Sequence, residues 1–320
     1  MPDLLDTQLL HALQLDGRAP FSTIADVLGV SDQTIARRYS RLHDARRLRV
    51  RGLSDAQRLR DTRWIVRVQC TPNAAAAAAD ALARRPDTSW ISLTSGGTEI
   101  VCVVRTTSGE QDNRLLLQTL PRNRFVVAMT AHCVLHTFFG DPAGLINKLG
   151  SLSKAQVARL RRPPVLDADG PVSLTAVDRK LFTLLEHDGR ATFAELSAAT
   201  DASQTTVRRR IAELRTNGTL YFDVDFDQAL LDLHVRAMVW LSVAPSQLAA
   251  VGEALAGHPE TAYVAATTGA SNLYASVVCA DTAALYAYLT TRIARLTGIE
   301  RIETVPIVRS VKRGGLLGPT

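Results

Sequence analysis

The sequence predicts an α+β protein that contains two copies of a helical head, each followed by a βαββαβ sandwich. One observation is a repeat, because residues 4–42 align without a gap with residues 176–214. The other is a change of hydrophobic period in each copy, from helical spacing to strand-like runs broken by Gly-containing turns. Each head has a short helix, a turn and a capped helix, which together form a helix-turn-helix. The predicted architecture is therefore a winged helix-turn-helix followed by a ferredoxin-like domain, present twice.

The two copies agree best where one helix ends and the next begins. Gly17-Arg18-Ala19 aligns with Gly189-Arg190-Ala191, and Ser31 aligns with Ser203 as a helix N-cap. Further along, Thr94-Ser95-Gly96 aligns with Thr267-Thr268-Gly269. Shared turn and cap residues in an ungapped alignment indicate one unit of about 140 residues that occurs twice.

The repeat divides the chain into five segments. The predicted boundaries are 1–55 for the first helix-turn-helix domain, 62–140 for the first βαββαβ domain, 141–172 for a linker, 173–228 for the second helix-turn-helix domain and 233–313 for the second βαββαβ domain. The linker is expected to contain a helix over 144–160. Within the βαββαβ domains, helices are expected at 110–120 and 283–296.

The composition excludes several classes of protein. With 46% apolar and 21% charged residues, the chain is neither disordered nor fibrous. No apolar run reaches the roughly 18 residues that cross a bilayer, and the N-terminus has acids where a signal peptide has basic residues. We therefore expect a soluble, cytoplasmic protein that does not bind a membrane. The spacing of Cys, His and acidic residues predicts no metal site, no cofactor and no catalytic residue, and isolated histidines such as His11 are expected at the surface.

Basic residues concentrate in and after the third helix of the first copy. Between Val30 and Arg51 there are seven Arg and two Asp residues, a surplus of +5 beside the +6 of the whole chain. Such a surplus indicates contact with nucleic-acid phosphates, and the start of the third helix is where a helix-turn-helix contacts bases. The predicted DNA-binding residues are Ser31, Asp32, Gln33, Thr34, Arg37, Arg38 and Arg41 in the first copy, and Ser203, Gln204, Thr205, Arg208, Arg209 and Arg210 in the second.

Four segments resemble the leucine-responsive (Lrp/AsnC) family of bacterial regulators. Two segments are similar to the DNA-binding head of that family: LLDTQLLHALQLDGRAPFSTIADVLGVSDQTIARRYSRL and AVDRKLFTLLEHDGRATFAELSAATDASQTTVRRRIAEL. Two others are similar to its ligand-sensing domain: HPETAYVAATTGASNLYASVV and LTGIERIETVPIVRSVK. The resemblance implies a transcriptional regulator that binds double-stranded DNA, forms homo-oligomers through its sensing domains and responds to a small molecule such as an amino acid. It also implies that two such units are fused in tandem.

The effector site is expected at the hairpin of each sensing domain. These hairpins are rich in glycine and hydroxyl groups, whose N–H and O–H donors can bind a carboxylate. The family usually has Asp in the Gly-x-x-Asp turn of this hairpin, whereas this sequence has Glu99 and Asn272. The predicted effector-binding residues are Thr94, Ser95, Gly96, Thr98 and Glu99 in the first copy, and Thr267, Thr268, Gly269, Ser271 and Asn272 in the second.

The sequence leaves two other functions open. The architecture is also similar to that of decarboxylases that act on a sirohaem-type tetrapyrrole, for which His132, His136 and His234 are candidates by location. The acidic segment NGTLYFDVDFDQALLDL stands where propionate binding would need basic residues, and it favours the regulator. The other alternative is a DNA-binding scaffold without an effector.

Overall fold

The computed structural model describes residues 3–71, 73–106, 115–120, 122–140, 143–161 and 172–313. The chain folds into two compact units, each of which combines two separate stretches of sequence. One unit contains Met1–Leu59 and Asp141–Asp232, and the other contains Arg60–Gly140 and Leu233–Thr320. The two helical heads therefore fold together, and so do the two βαββαβ domains, although they alternate along the chain.

The helices and strands follow the predicted order in both copies. The helices are α1 (Leu4–Leu15), α2 (Phe21–Leu28), α3 (Asp32–Asp44), α4 (Ala56–Leu59), α5 (Ala75–Ala83), α6 (Ile146–Leu149), α7 (Lys154–Leu160), α8 (Ala176–His187), α9 (Phe193–Thr200), α10 (Gln204–Thr216), α11 (Leu248–Gly257) and α12 (Thr282–Ala287). The strands are β1 (Leu48–Ser54), β2 (Thr62–Cys70), β3 (Thr88–Thr94), β4 (Glu99–Thr106), β5 (Val126–Phe139), β6 (Leu220–Phe226), β7 (Val235–Val243), β8 (Thr261–Thr267), β9 (Leu273–Cys279) and β10 (Ile299–Lys312). Within the described ranges, none of these helices has both the length and the apolar character needed to cross a membrane.

Two of the predicted helices depart from a regular α-helix in their described residues. The described part of the helix expected at 110–120 is a π-helical turn over Leu115–Thr119, and residues 110–114 lie outside the described residues. The helix expected over 283–296 is α-helical as far as Ala287, and then continues as a π turn and a 3-10 turn to Arg295.

In the unit that contains the heads, the wing strands pair with each other. β1 and β6 form an antiparallel sheet in which Arg51 lies opposite Asp223. These residues occupy the same position in the two copies, so the pairing has a two-fold pseudosymmetry centred on them. Gly17 approaches this sheet so closely that a β-carbon on it would lie 2.7 Å from a side-chain carbon of β1. One apolar core, which includes Leu13 and Leu185, extends through both heads.

The sequence between the two copies folds onto the first head as a strap (residues 143–161). The expectation of one helix over 144–160 is wrong, because the strap contains the two short helices α6 and α7. Gly150 ends α6 with a positive φ of 56°, and Ser153 begins α7 with a capping box. Residues 162–171 of the predicted linker lie outside the described residues.

Buried apolar and polar contacts hold the strap in place. Ile146 is fully buried in the core of the heads, and the Gln156 side chain donates a hydrogen bond to the carbonyl of Val27 at 3.1 Å. The hydroxyl of Ser151 lies 3.4 Å from Nδ1 of His11. His11 is only 3% exposed, so the expectation that it lies at the surface is wrong.

The other unit is a closed barrel of eight strands in the order β10-β3-β4-β2-β5-β8-β9-β7. The last strand of each βαββαβ domain pairs with both domains, because β5 lies between β2 and β8, and β10 lies between β7 and β3. Val134 lies opposite Thr267, and Ile307 lies opposite Thr94. These pairs are equivalent in the repeat, so each domain completes the sheet of the other in the same way. The structure thus confirms the predicted fold class.

An apolar cluster lies inside the barrel, and helices cover its outside. α5 and α11 each pack on the sheet of their own domain above a separate apolar core. The interior contains Ile65, Met238, Trp240 and Tyr274, of which Trp240 is fully buried. The rings of Trp240 and Tyr274 have centroids 4.7 Å apart, so aromatic packing occupies the space between the two domains.

Candidate functional site

The recognition helices, α3 and α10, begin with the same cap. The hydroxyl of Ser31 accepts a hydrogen bond from the backbone N–H of Thr34 at 3.2 Å, and Ser203 accepts one from Thr206 at 3.1 Å. This bond satisfies one of the open N–H groups of each helix, and both caps are exposed. The positive end of each helix dipole is therefore available to a phosphate.

Most of the predicted base-reading side chains lie on the exposed faces of the recognition helices. The exposed members are Asp32, Gln33 and Arg37 in α3, and Gln204, Thr205, Arg208 and Arg209 in α10. The opposite faces are buried through Ile35 and Leu42 in α3, and through Val207 and Leu214 in α10. Each helix thus packs on its head with one side and presents the other side to solvent.

Two predicted DNA-binding arginines of the first head bind carboxylates of α1 and its cap. Arg38 lies 2.6 Å from Asp6 and 2.8 Å from Asp3. Arg41 also forms an ion pair with Asp6, which is 5% exposed. These contacts tie α3 to α1, so at least Arg38 has a structural role.

The second head repeats the Arg38 contact. Arg210 lies 2.6 Å from Asp178, which is fully buried. Burial by itself raises the pKa of Asp178, but hydrogen bonds from Arg210 and Thr175 outweigh it and hold the pKa below its usual value. The carboxylate therefore stays charged, and the ion pair ties α10 to α8.

Further ion pairs neutralise part of the basic surplus over 30–51. Arg47 lies 2.9 Å from Asp227, and Arg51, which is 2% exposed, lies 3.1 Å from Glu186. Together with Arg38 and Arg41, four of the seven arginines in this stretch bind carboxylates of the heads themselves. The charge count of the sequence therefore overstates the charge that DNA would meet.

The exposed arginines of α10 are held only by weak contacts. The guanidinium of Arg208 lies 4.2 Å from the ring centre of Phe193, a cation–π contact. Arg209 lies 2.7 Å from Glu213, one turn later on the exposed side. Because an exposed i,i+4 pair contributes only about 0.3–0.5 kcal/mol, a phosphate can replace the carboxylate at Arg209.

A reciprocal pair of arginines, the arginine clasp (Arg18 and Arg190), joins the two heads. Arg18 donates hydrogen bonds to the carbonyls of Gly189 and Ala191 at 2.7 and 2.9 Å. Arg190 donates in the same way to two carbonyls of the equivalent turn in the first head, at 2.7 and 3.1 Å. Burial lowers the pKa of Arg18 to about 10, so its guanidinium remains charged at neutral pH.

In the first sensing hairpin, Glu99 is part of an internal ion-pair network. It is 3% exposed, lies 2.8 Å from Arg67 and accepts a hydrogen bond from the Thr94 hydroxyl at 2.9 Å. Arg67 also makes two bonds of 2.8 Å to Glu303 of the other domain, and these raise the pKa of Arg67. The guanidinium lies 5.2 Å from the ring centre of Trp240. The Glu99 carboxylate thus serves to anchor the hairpin.

Neutral groups anchor the second sensing hairpin. The Asn272 side chain accepts from the backbone N–H of Val243 at 2.9 Å and donates to its carbonyl at 2.8 Å. The backbone N–H of Cys133 donates to the Thr268 hydroxyl at 2.9 Å, and Nδ1 of His132 lies 2.8 Å from the Thr268 carbonyl oxygen. The two hairpins therefore have the same position in the fold but different chemistry.

The structure brings each set of predicted effector-binding residues together in one hairpin. The exposed members are Ser95, Gly96 and Thr98 in the first hairpin, and Thr268 and Gly269 in the second. Thr267 is buried, and its hydroxyl donates to the carbonyl of Ser271 at 3.0 Å. Their assignment to an effector stays a prediction.

Two sets of functional residues have weak or no signals in the sequence. The arginine clasp has a weak signal in the sequence. The Gly-Arg-Ala turn that contains each arginine is identical in the two copies, although a surface turn would tolerate variation. Arg67 and Glu303 are 236 residues apart, and no local pattern relates them. Only the crossing of β10 into the sheet of the first domain brings these two side chains together.

Two family models match this chain. The AsnC-type helix-turn-helix domain matches residues 3–43 and 174–215, and the Lrp/AsnC ligand binding domain matches residues 236–317. The matched segments cover just over half of the sequence. The chain belongs to the Lrp/AsnC family. It is a helix-turn-helix transcriptional regulator with two helix-turn-helix domains of this family and a ligand-binding domain that follows the second of them.

Two curated relatives of this regulator match about half of its length. An uncharacterized helix-turn-helix transcriptional regulator of Pyrococcus horikoshii is 29% identical over 145 residues, which are 45% of this chain and 91% of the relative. A second transcriptional regulator of that organism is 27% identical over 142 residues, which are 44% of this chain and 93% of the relative. Each relative thus matches a length equal to one copy of the repeat.

Solved structures of one protein match this Lrp/AsnC chain over nearly its whole length. The siroheme decarboxylase NirDL superimposes with a TM-score of 0.64, covering 96% of this chain and 92% of the decarboxylase. The two sequences are 14% identical, so the similarity concerns the fold alone.

Proposed function

We propose that this chain is two Lrp/AsnC regulator units fused in one polypeptide, whose two heads bind operator DNA together. The observation that carries the proposal is the two-fold relation of the heads, in which the arginine clasp is reciprocal and the wing strands pair about Arg51 and Asp223. The half-length relatives support it as well. Dimeric helix-turn-helix proteins place two recognition helices in successive major-groove segments, and a fused pair of heads provides the same arrangement within one chain.

The exposed residues of α3 and α10 are assigned to DNA contact. Arg37 and Arg209 bind phosphates, while Gln33 and Arg208, at or near the helix N-termini, contact base edges. Arg38 and Arg210 are assigned to holding the recognition helices on the heads, because each binds a buried carboxylate.

Fluorescence anisotropy with duplexes enriched from a random library tests the DNA proposal. We expect log K to fall linearly with log salt, as phosphate neutralisation requires. The double variant Arg37→Ala/Arg209→Ala should bind at least tenfold more weakly and lower the salt slope by about two, or about one for each lost phosphate contact. The control is Arg301→Ala, an exposed arginine of the barrel. The proposal would be contradicted if the library yields no enriched duplex and if the double variant and the Arg301→Ala control bind DNA with equal affinity.

The effector, an amino acid or a related metabolite, is assigned to the second hairpin. The family model of the ligand-binding domain covers this hairpin, and exposed Thr268 and Gly269 present a hydroxyl and backbone groups at its tip. Thermal-shift assays with individual amino acids test the assignment. Thr268→Val should remove the ligand-induced shift, whereas Ser95→Ala at the equivalent position should keep it. If no ligand changes either stability or DNA affinity, the chain is a DNA-binding scaffold without an effector.

Homo-oligomers are proposed to form through the sensing barrel. Leu135 of β5 and Val308 of β10 occupy equivalent positions and are 60% and 64% exposed. Two equivalent apolar side chains on one barrel suit contact with another copy of the chain. Light scattering should show a lower mass for Leu135→Lys/Val308→Lys than for the wild type, and an unchanged mass would place the contact elsewhere.

Tetrapyrrole decarboxylation is the second candidate, because the fold resembles that of NirDL. The barrel interior favours the regulator, since it is packed with side chains that include Trp240 and Tyr274, and a macrocycle bound there would have to displace them. His136 and His234 are exposed, while His132 packs against Trp240. An absorbance titration with an iron tetrapyrrole should show no tight binding, and tight binding followed by loss of carbon dioxide would establish the enzyme instead.

A further inference from the structure

The two recognition helices have the same framework. Five pairs of residues are identical at equivalent positions: Ser31 and Ser203, Thr34 and Thr206, Arg37 and Arg209, Arg38 and Arg210, Leu42 and Leu214. The Ser and Thr pairs form the caps, Arg38 and Arg210 bind the carboxylates of the first helix of each head, and Leu42 and Leu214 are buried. These four pairs have a structural role in both heads, and the fifth, Arg37 and Arg209, is exposed and is assigned to phosphates, which carry no sequence information.

The sides that face solvent near the helix N-termini differ. Asp32, Gln33 and Ala36 of α3 correspond to Gln204, Thr205 and Arg208 of α10. All are exposed except Ala36, which is partly exposed. Later on the same sides, Arg41 corresponds to Glu213, so even the sign of the charge changes. The copies therefore differ where a base edge would be read and agree where the fold depends on the residue.

These differences have predictable consequences for base recognition. Gln makes two hydrogen bonds to adenine, Arg makes two to guanine, and a small apolar side chain contacts the methyl group of thymine. Gln33 therefore suits adenine, and its counterpart Thr205 lacks the paired donor and acceptor of an amide. Arg208, which is stacked on Phe193, suits guanine, whereas Ala36 at the equivalent position does not.

We infer that the operator of one chain is asymmetric, with a half-site for the second head that contains a guanine read by Arg208 and a different half-site for the first head. The inference rests on the proposed function. Two identical subunits related by a two-fold axis present identical heads and therefore favour palindromes. Here the heads belong to one chain and are joined by the arginine clasp, so every molecule carries one head of each kind.

Selection of randomised duplexes with the full chain, followed by sequencing, tests the inference. The wild type should enrich a site with two different halves. If the enriched sequence contains this two-part site twice, as an inverted repeat, we interpret it as two chains bound side by side, each to one asymmetric site. On the enriched site, Arg208→Ala should weaken binding about tenfold, and it should lose less on a duplex in which the corresponding guanine is replaced.

Reciprocal exchange of the reading residues provides a matched pair of variants. Asp32→Gln/Gln33→Thr/Ala36→Arg gives the first head the residues of the second, and Gln204→Asp/Thr205→Gln/Arg208→Ala does the reverse. Each variant should enrich a palindrome, and the two palindromes should be built from opposite halves of the wild-type site. Circular dichroism melts identify a variant that has lost its fold, and the wild-type selection decides the question in that case.

The outcomes separate this inference from the proposed function. A palindrome enriched by the wild type would overturn the asymmetric operator and leave the DNA-binding proposal intact. If the wild type enriches no sequence and its weak binding is equal for all duplexes, the proposed function fails, and the asymmetric operator fails with it.

Discussion

The first and the second head share a framework, but different parts of the chain stabilise them. α1 buries Leu10, His11 and Gln14, because the strap covers that side of the first head. At the equivalent positions α8 has Phe182, which is partly exposed, and Thr183 and Glu186, which are exposed. The comparison shows that a segment outside the repeat buries one face of α1, whereas the equivalent face of α8 is exposed or partly exposed.

The two heads also differ in the local caps of their helices. α8 and α9 both begin with capping boxes, formed by Thr175 with Asp178 and by Thr192 with Glu195. In the first head, α2 follows Pro20 and has no side-chain cap. A capping box satisfies two open N–H groups locally, so these helix ends depend less on distant parts of the chain.

One contact between the heads differs in chemistry although its positions are equivalent. Gln14 donates to Asp223 at 3.1 Å, and at the matching positions Glu186 binds Arg51. The first contact is a hydrogen bond from a neutral amide, and the second is an ion pair with a buried guanidinium. The two-fold relation therefore fixes where the side chains meet and leaves their chemical type free to change.

The largest expected effect tests whether the heads are equivalent at the arginine clasp. Arg18→Ala and Arg190→Ala each leave two carbonyl groups without their donor, so each should destabilise the head unit by about 2–4 kcal/mol. The two values should be similar, and the double variant should lose more. Urea unfolding measures the stability of each variant, and hydrogen exchange shows whether the loss lies in the head unit. Arg37→Ala, on the exposed face, is the control. A large cost at only one of the two arginines would break the equivalence.

The next effect concerns the strap, which belongs to the first head alone. Ile146→Ala creates a cavity in the core and should cost about 2–4 kcal/mol. The loss should be local, so α1 should exchange its amide hydrogens faster while α8 changes little. Lys154→Ala, at an exposed strap position, is the control. Equal loss of protection in both helices would mean that the strap supports the heads jointly.

A smaller effect depends on pH. Burial raises the pKa of Asp223 to about 6, above the value of about 3.9 for an unfolded chain. The folded state therefore binds this proton more tightly, and stability from this group falls as pH rises from about 4 to about 6. Asp223→Asn should remove that slope. Its free energy of unfolding relative to the wild type should therefore increase by on the order of 1–2 kcal/mol as the pH rises from 4.5 to 7.5. Urea unfolding at several pH values measures it, and an unchanged slope would assign the dependence to other groups.

The smallest effect tests the shared caps. Ser31→Ala and Ser203→Ala each remove one hydrogen bond to a helix N-terminus, and each should cost about 1 kcal/mol. Thermal unfolding should give nearly equal values, since the two caps have the same geometry. Clearly unequal values would show that the frameworks differ more than their backbones suggest.

Local patterns in the sequence were sufficient for most of the elements and for their order. The Ser31 and Ser203 caps, the Gly96-Gly97 hairpin and the helical spacing of Leu9 and Leu13 act over a few residues, so they can be read without a fold. They predict the heads, the barrel strands and the exposed residues at the start of each recognition helix. They fail at the strap, where a single helix is expected and Gly150 separates two.

By itself, the sequence predicted two helix-turn-helix heads, each with its own recognition helix, because caps and hydrophobic periods are local properties. The tertiary structure decided which charged groups face solvent and which hold the protein together. Arg37 and Arg38 are neighbours in the sequence, yet one is exposed and the other binds Asp6. That difference, like the pairing of Arg67 with Glu303, depends on carboxylates that distant segments bring near, and the strength of a charge contact depends on this distance and burial.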